Sequence, residues 1–492
     1  MLAVYELKWL RERFLRTIFA LFPVLILYWV IPVEGYSDEA LRTLNVVLPF
    51  YFIVVSGRLA WRVVGKLPST IWTAIAWYPL NSAVFYGFGP MVNVLGNEVT
   101  RSRVSTGYLG LTQSEVFIAN QLSLTGIFAV LLGFTAHLSY QRRSWVVFGP
   151  SKAIIQTFNP VSIGLAFVLL GSVLKYLLLK PAQWGIIHLT VPGILSGMGN
   201  LVDLGFGIVA FYAAKGNASM RSFLLLALPI HIFLSFLSFA KLEVILALLL
   251  PALGYFLGSG RRDKLIQHAI LIALIFVVLQ PWVHFGRSVI LERTGTISRA
   301  NYADRMEILS DYIFSDSRSD YLETRGDLQS WWTRLNFSGP QVRAMELYDA
   351  GFRNRTLNTA WMYFIPRVVW PDKPILYGPG LQFYRQLTGR EDAVSFLGLS
   401  IYGDLYWQFG WLGVLVGGVL FGWVLGVTSA LALRAIRSEN FIMLPFVMMA
   451  LDLAITAPNK YVINGVIGAL PIMIAYYLLF SNFSKRRRLG KS

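Results

Sequence analysis

Apolar runs of roughly 20 residues, the length that crosses a bilayer as a helix, recur along almost all of this 492-residue chain. They fall near 17–33, 43–61, 69–89, 116–138, 159–179, 191–213, 222–239, 242–258, 265–284, 408–432, 441–457 and 461–480. A bilayer offers the backbone no water, so a spanning segment must satisfy its own amide and carbonyl groups, and runs this long do so as helices. The expectation is an all-α polytopic membrane protein of about twelve transmembrane helices. Only a tight turn around Ala240-Lys241 separates the runs 222–239 and 242–258. The start, MLAVYELKWLRERFLR, is basic and aromatic. Residues 4–16 read as an amphipathic interfacial helix ahead of a first span that acts as a retained signal-anchor.

Charge between the runs orients them. Every second loop is short and basic: Arg11, Arg13 and Arg16, then Arg62 and Lys66, Arg142 and Arg143, Lys215 and Arg221, Arg261 and Arg262, Arg434 and Arg437, and the tail Lys485 to Arg488. By the positive-inside rule this side is cytoplasmic. The first loop on the other side holds Glu34, Asp38 and Glu39 against Arg42. Both termini are then cytoplasmic, and the formal charge of +17 reports topology rather than a nucleic-acid partner. No cytoplasmic segment exceeds about twenty residues, too few for a nucleotide-binding domain, and no Walker loop or dinucleotide fingerprint occurs. The absence of cysteine excludes disulfides, thiolate metal sites and cysteine nucleophiles.

One long polar stretch, 285–398, interrupts the pattern between the ninth and tenth spans. It divides the chain into 1–284, with nine spans, the extracytoplasmic segment 285–398, and 399–492, with three spans and the basic tail. The segment carries thirteen arginines and a single lysine, Lys373. Arginine presents a planar fork of donors that pairs with phosphate and carboxylate, whereas lysine is a mobile point charge. Helical spacing over Ala300–Phe314 and Pro340–Phe352 predicts short amphipathic helices, and Trp331, Trp332 and Trp361 suit a membrane–water interface.

The sharpest local signal is IPRVVWPDKP, Ile365 to Pro374, in which three prolines fix a rigid turn around Arg367, Trp370, Asp372 and Lys373. With the following Tyr377-Gly378-Pro379-Gly380 and the helix entry YGDLYWQFGWLGVLVGG, it resembles the Wzy-type repeat-unit polymerases of O-antigen and exopolysaccharide assembly. These are polytopic enzymes, similar in architecture to O-antigen ligases and other metal-independent members of the GT-C glycosyltransferase class. The local resemblance covers about 360–425; elsewhere only the topology matches.

The resemblance implies a glycosyltransferase of the bacterial cytoplasmic (inner) membrane, without a cofactor. Its substrates would be two oligosaccharides linked to polyprenyl diphosphate, with other polysaccharide-assembly and chain-length proteins as candidate partners. A sugar hydroxyl of one attacks the anomeric carbon of the other, and polyprenyl diphosphate leaves on the extracytoplasmic face. Negative charge grows on the leaving group, so cations placed there accelerate the step. The candidates are Arg287, Arg293, Arg334, Arg353, Arg355, Arg367 and Arg385, with Lys373 and Tyr377 of the proline-rich stretch. Arg353 and Arg355 are two apart and share one face of an extended segment, a plausible diphosphate clamp. His284, three residues from Arg287 at the end of a span, is a candidate general base; Glu391, Asp392 and Asp404 are its rivals. No histidine pair has metal-ligand spacing, and no metal site is expected.

Charges inside spans are costly and mark either a buried contact or a pathway. Asp203, among glycines that permit close helix approach, and Asp452 are of this kind, with Lys175 and Arg58 as candidate partners. Two other functions remain open. A ligase would move finished glycan to another acceptor by the same donor chemistry. A transporter or flippase of lipid-linked glycans would use the mid-membrane charges. A non-catalytic export subunit is a further option.

Overall fold

The computed structural model describes residues 4–106, 109–144, 159–188, 198–294, 300–314, 330–365, 369–370, 372–373, 379–391, 397–437, 440–456 and 461–489. Among these residues there is no strand. Eight helices are long and apolar enough to cross a membrane: Tyr5–Val30, Asp38–Lys66, Gln113–Tyr140, Pro160–Gln183, Ala218–Phe236, Lys241–Ser259, Arg262–Arg293 and Ile401–Arg437. Three shorter helices, Leu201–Ala214, Phe441–Thr456 and Leu470–Leu479, are also apolar. The chain is therefore an all-helical polytopic membrane protein. It divides into two compact units: residues 1–153, 332–438 and 446–492 form the first, and residues 154–331 and 439–445 the second.

The first unit is built on the packing of Gln113–Ser144 against Ile401–Arg437. Lipid is as apolar as leucine, so helices in it gain by close approach at small residues. A Cβ added at Gly422 would lie 2.0 Å from the Val130 carbonyl oxygen, and one at Gly133 would lie 2.1 Å from that of Val419. Phe117, Val130 and Phe134 of one helix and Val414, Leu425 and Ala432 of the other are buried. The N-terminal helix runs without a break from Val4 to Val30. Residues 4–16, expected as a separate interfacial helix, are thus continuous with the apolar run that follows them. The apolar stripe of the helix explains this, for Leu7, Leu10, Phe14, Leu21, Val24 and Tyr28 are buried along one continuous face.

Two expected spans are not regular helices. Residues 68–88 form a 3-10 turn at Pro68–Trp72, an α-helix at Ala74–Ser82 and a π-helix at Ala83–Phe88. Thr70 and Thr73 hydroxyls donate to the carbonyls of Leu67 and Thr70 at 2.6 and 2.7 Å, and Pro79 contributes no amide hydrogen. The segment is buried, which lets other protein groups satisfy its irregular backbone. Near 461–480, a π-helix at Ile463–Ile467 precedes Leu470–Leu489.

The basic ends of the first unit meet. Lys66 Nζ donates to the Tyr5 hydroxyl at 3.2 Å and lies over the Trp9 ring. Arg437 pairs with Glu6 at 2.9 Å. At the opposite end Trp29 packs on Trp411, their ring centroids 4.7 Å apart. The start of Ile401–Arg437 therefore lies at the far end of this unit from Lys66 and Arg437. Trp332, expected at an interface, is instead buried: it stacks on Phe88 and donates its indole N–H to the Phe88 carbonyl at 2.8 Å.

In the second unit Leu201–Ala214 packs between Pro160–Ser172 and Lys241–Ser259. The turn expected near Ala240-Lys241 is present, and Phe239 within it has φ +49°, in the left-handed region. The Gly422→Val variant is expected to lower the stability of the detergent-solubilised chain by about 2 kcal/mol, the scale of overpacking. Thermal unfolding of the two proteins side by side checks this; equal midpoints would contradict the packing described.

Candidate functional site

The candidate site of the first unit starts from a carboxylate without access to water. Asp404 lies in the first turn of Ile401–Arg437 and is fully buried. Its Oδ1 accepts from Asn354 Nδ2 at 2.8 Å and Gln408 Nε2 at 3.0 Å, and its Oδ2 accepts from the Val462 backbone amide at 2.7 Å. A buried charge is tolerated only with such donors around it. Here they come from three separate stretches of chain.

One stretch is the pair of arginines. Helix Ser338–Asp349 ends in a turn at Gly351, where φ is +88°, and residues 352–355 follow without regular secondary structure, the Arg353 amide donating to the Gly351 carbonyl at 3.1 Å. The Asn354 amide donates to the Trp407 carbonyl at 3.1 Å, and the Trp407 indole donates to the Phe352 carbonyl at 2.6 Å. Asn354 is buried, whereas Phe352, Arg353 and Arg355 are all exposed, so strand-like alternation is not what exposes the two arginines. The Arg353 guanidinium stands 4.8 Å from the Tyr348 ring centroid. That ring packs edge-on to Tyr406. It also lies where Gly410 interrupts the helix with φ +63° and ψ −153°; a Cβ there would come within 3.0 Å of the Tyr348 ring.

Around this segment the polar stretch shares a small core with the chain that follows it. Ala344, Phe383, Leu399, Trp407, Tyr461 and Ile463 are buried together. Helix Pro379–Thr388 buries Leu381 and Phe383 and leaves Arg385 exposed. Gln341 donates to Ser123 and Ser400 at 3.0 and 2.9 Å, fixing Ser338–Asp349 to two other elements. Of the proline-rich stretch, Lys373 Nζ donates to the Ile365 carbonyl at 3.2 Å and Trp370 stacks on Trp361, while its three prolines lie outside the described residues. Lys373 is thus engaged within that stretch.

The remaining candidates are placed as follows. Arg334, Arg385 and Glu391 are exposed in the first unit. Arg367, Tyr377 and Asp392 lie outside the described residues. His284, Arg287 and Arg293 belong to the second unit, on the helix Arg262–Thr294. His284 is half-buried there. Arg287 Nε donates to the Phe239 carbonyl at 3.0 Å, which holds the left-handed turn. Arg293 pairs with Glu307 at 3.0 Å and Asp311 at 3.4 Å, both on Tyr302–Phe314. Among the described residues no group of three or more acidic or histidine side chains is placed to hold a metal ion.

The second unit contains a charge cluster of which only one contact was expected. Asp203 pairs with Lys175 at 3.2 Å, as its position suggested, and also accepts from His231 Nε2 at 2.8 Å. His231 Nδ1 meets the Tyr176 hydroxyl at 2.7 Å. Glu243 bonds Lys180 and lies 3.8 Å from Lys175. The sequence signal that could have found these was the set of charges at span ends and inside spans, read together. Matches to known proteins do not narrow the reading: no family model, curated protein or solved structure matches this chain.

Replacing Asp404 by Asn puts an amide N–H₂ where donors already converge. The variant is expected to lose about 2 kcal/mol of stability, the scale of a hydrogen-bonded buried charge, and to open residues 352–356 to protease. Limited proteolysis with mass mapping of the fragments tests this, and an unchanged digestion pattern would count against Asp404 as the anchor.

Proposed function

We propose that this chain is a membrane glycosyltransferase that joins polyprenyl-diphosphate-linked oligosaccharide repeat units on the extracytoplasmic face. In this reading there are twelve spans and both termini are cytoplasmic. The short apolar helices Leu201–Ala214, Phe441–Thr456 and Leu470–Leu479 and the broken segment 68–88 complete the count beyond the eight long helices. The membrane is the bacterial cytoplasmic membrane, and the segment beyond the ninth span is extracytoplasmic.

The observation that carries the proposal is the exposed Arg353–Arg355 pair on a backbone pinned by Asp404 and Trp407. Catalysis by cations requires that they be held in place before charge develops, so that no reorganisation is needed during the step. Asn354 supplies that hold, because its side chain and its amide are both fixed while its two neighbours face outward. The pair also lies at the end of its unit opposite Lys66 and Arg437, the residues that mark the cytoplasmic side.

The roles follow from this placement. Arg353 and Arg355 bind the donor diphosphate and stabilise it as it leaves. Arg334 and Arg385, exposed on the same unit, are candidates for contact with phosphate or acidic sugar. Asp404, with three donors on its two oxygens, acts as the positioning residue for the pair rather than as the proton acceptor. Glu391, exposed on the same unit, is the candidate to take the proton of the attacking hydroxyl.

The Asp203–Lys175–His231 cluster, within apolar helices, favours a second reading as a transporter of the same lipid-linked glycans. Purified protein in liposomes with lipid-linked repeat units separates the two. Bond formation is expected, with elongated glycan on a gel. The joint replacement of Arg353 and Arg355 by Gln is expected to reduce the rate by about a hundredfold or more, the scale of losing donors to a developing charge. Unchanged polymer from that variant would remove the clamp, and movement of the lipid-linked glycan without any elongation would establish transport instead.

A further inference from the structure

The second unit holds a cleft that plays no part in the chemistry proposed above. It measures about 420 Å³, and Lys180, Gln183, Ser238, Glu243 and Arg305 line it. It lies at one end of the unit's spans. Lys180 and Gln183 close the helix Pro160–Gln183, Ser238 is in the turn after Ala218–Phe236, and Glu243 is in the first turn of Lys241–Ser259.

The backbone gathers cations here. Residues Val173–Leu179 form a π-helix, in which hydrogen bonds run from i to i+5. The Lys180 amide accordingly donates to the Lys175 carbonyl, and the two lysines lie one wide turn apart, both buried. Arg305 is the third cation. Its guanidinium donates to the carbonyls of Ala300 and Leu237 at 3.0 and 3.1 Å and stacks 4.0 Å from the Trp184 ring centroid. Burial pushes its pKa down to about 10, which leaves it charged at neutral pH.

Glu243 lines the cleft with Lys180 and Arg305, while Lys175 is bonded to Asp203. Glu243 bonds Lys180, stands 3.8 Å from Lys175, and its charge acts on Arg305. Yet its Oε2 is buried without a hydrogen bond. A carboxylate so incompletely satisfied is held by field rather than by geometry. An anion with more oxygens and more charge would satisfy the same cations better, with the Gln183 amide as a further donor at the cleft wall.

We propose that this cleft binds a phosphate oxyanion and that Glu243 is its built-in counter-anion, displaced when the ligand enters. The cleft's place at the span ends is the depth at which lipid headgroup phosphates lie, and its opening also admits a soluble phosphate. The proposal is independent of the Arg353–Arg355 reading, which concerns the other unit.

The test is binding to the full chain in detergent, with inorganic pyrophosphate by calorimetry and short-chain phosphatidic acid by native mass spectrometry. Saturable binding of pyrophosphate alone identifies a soluble source, and binding of phosphatidic acid alone identifies a lipid headgroup; either supports the site. Glu243→Gln removes the competing anion and is expected to tighten binding about tenfold. Lys180→Gln is expected to weaken it about tenfold or more, the scale of a lost buried charge contact. The opposite signs matter, because a cluster that only pinned the fold would lose affinity in both variants. Glu243→Asp keeps the charge but draws it back from Lys180, and is expected to fall between wild type and Glu243→Gln. It stands in if Glu243→Gln does not fold. Failure of both ligands to bind the wild-type chain saturably, or a removed or withdrawn Glu243 carboxylate that leaves affinity no better than wild type, would overturn the proposal.

Discussion

A charge that cannot reach water must be met by donors of the chain itself, and each unit of this protein has such a group. In the first, Asp404 has both oxygens committed to Asn354, Gln408 and the Val462 amide. In the second, Asp203 is held by Lys175 and His231. The energetic cost of leaving any of these unpaired is several times that of an ordinary contact. Segments far apart in sequence are therefore bound to one position, and the side chains beside those anchors inherit a fixed geometry. Arg353 and Arg355 are ordered because the residue between them is an anchor.

The two charged regions differ in what surrounds them. Around Asp404 the donors match the acceptor oxygens, and the cations beside it point outward. Around Glu243 the cations point inward, and one carboxylate oxygen has no hydrogen bond. The first arrangement presents charge to a ligand from a rigid base. The second holds a carboxylate that a better anion can replace. Arginine also serves a plainer purpose in this chain: Arg287 and Arg305 donate to the carbonyls of Phe239 and Leu237 and so hold a turn whose backbone is strained at Phe239.

Much of the fold was legible because its signals are local. Runs of apolar residues specify helices wherever water is absent, and the turn at Ala240 and the helices Tyr302–Phe314 and Ser338–Asp349 fell where spacing placed them. The separation of two between Arg353 and Arg355 suggested one shared strand face, but their exposure comes with that of Phe352 and follows from the anchoring of Asn354 and not from alternation. What failed to show was the course of 68–88, where threonine hydroxyls and Pro79 redirect the backbone inside an apolar run that looks like any other. Two of the three partners of Asp404 were equally hidden, since they lie 50 and 58 residues away along the chain. Glu243 offered no signal at all beyond being a charge at a helix start.

The amino-acid sequence by itself determined that this chain is helical, membrane-embedded and basic at alternate loops, because hydropathy and loop charge act residue by residue. It also placed an arginine-rich stretch between two apolar regions. Only the tertiary structure decided which of those arginines are presented and which are spent on carbonyls or on nearby acids. It alone showed that Asp404 is an anchor and that Lys175 and Lys180 both lie against Glu243. Such assignments depend on which donors meet which acceptors across long separations, and that is a property of packing, which no single stretch of sequence contains.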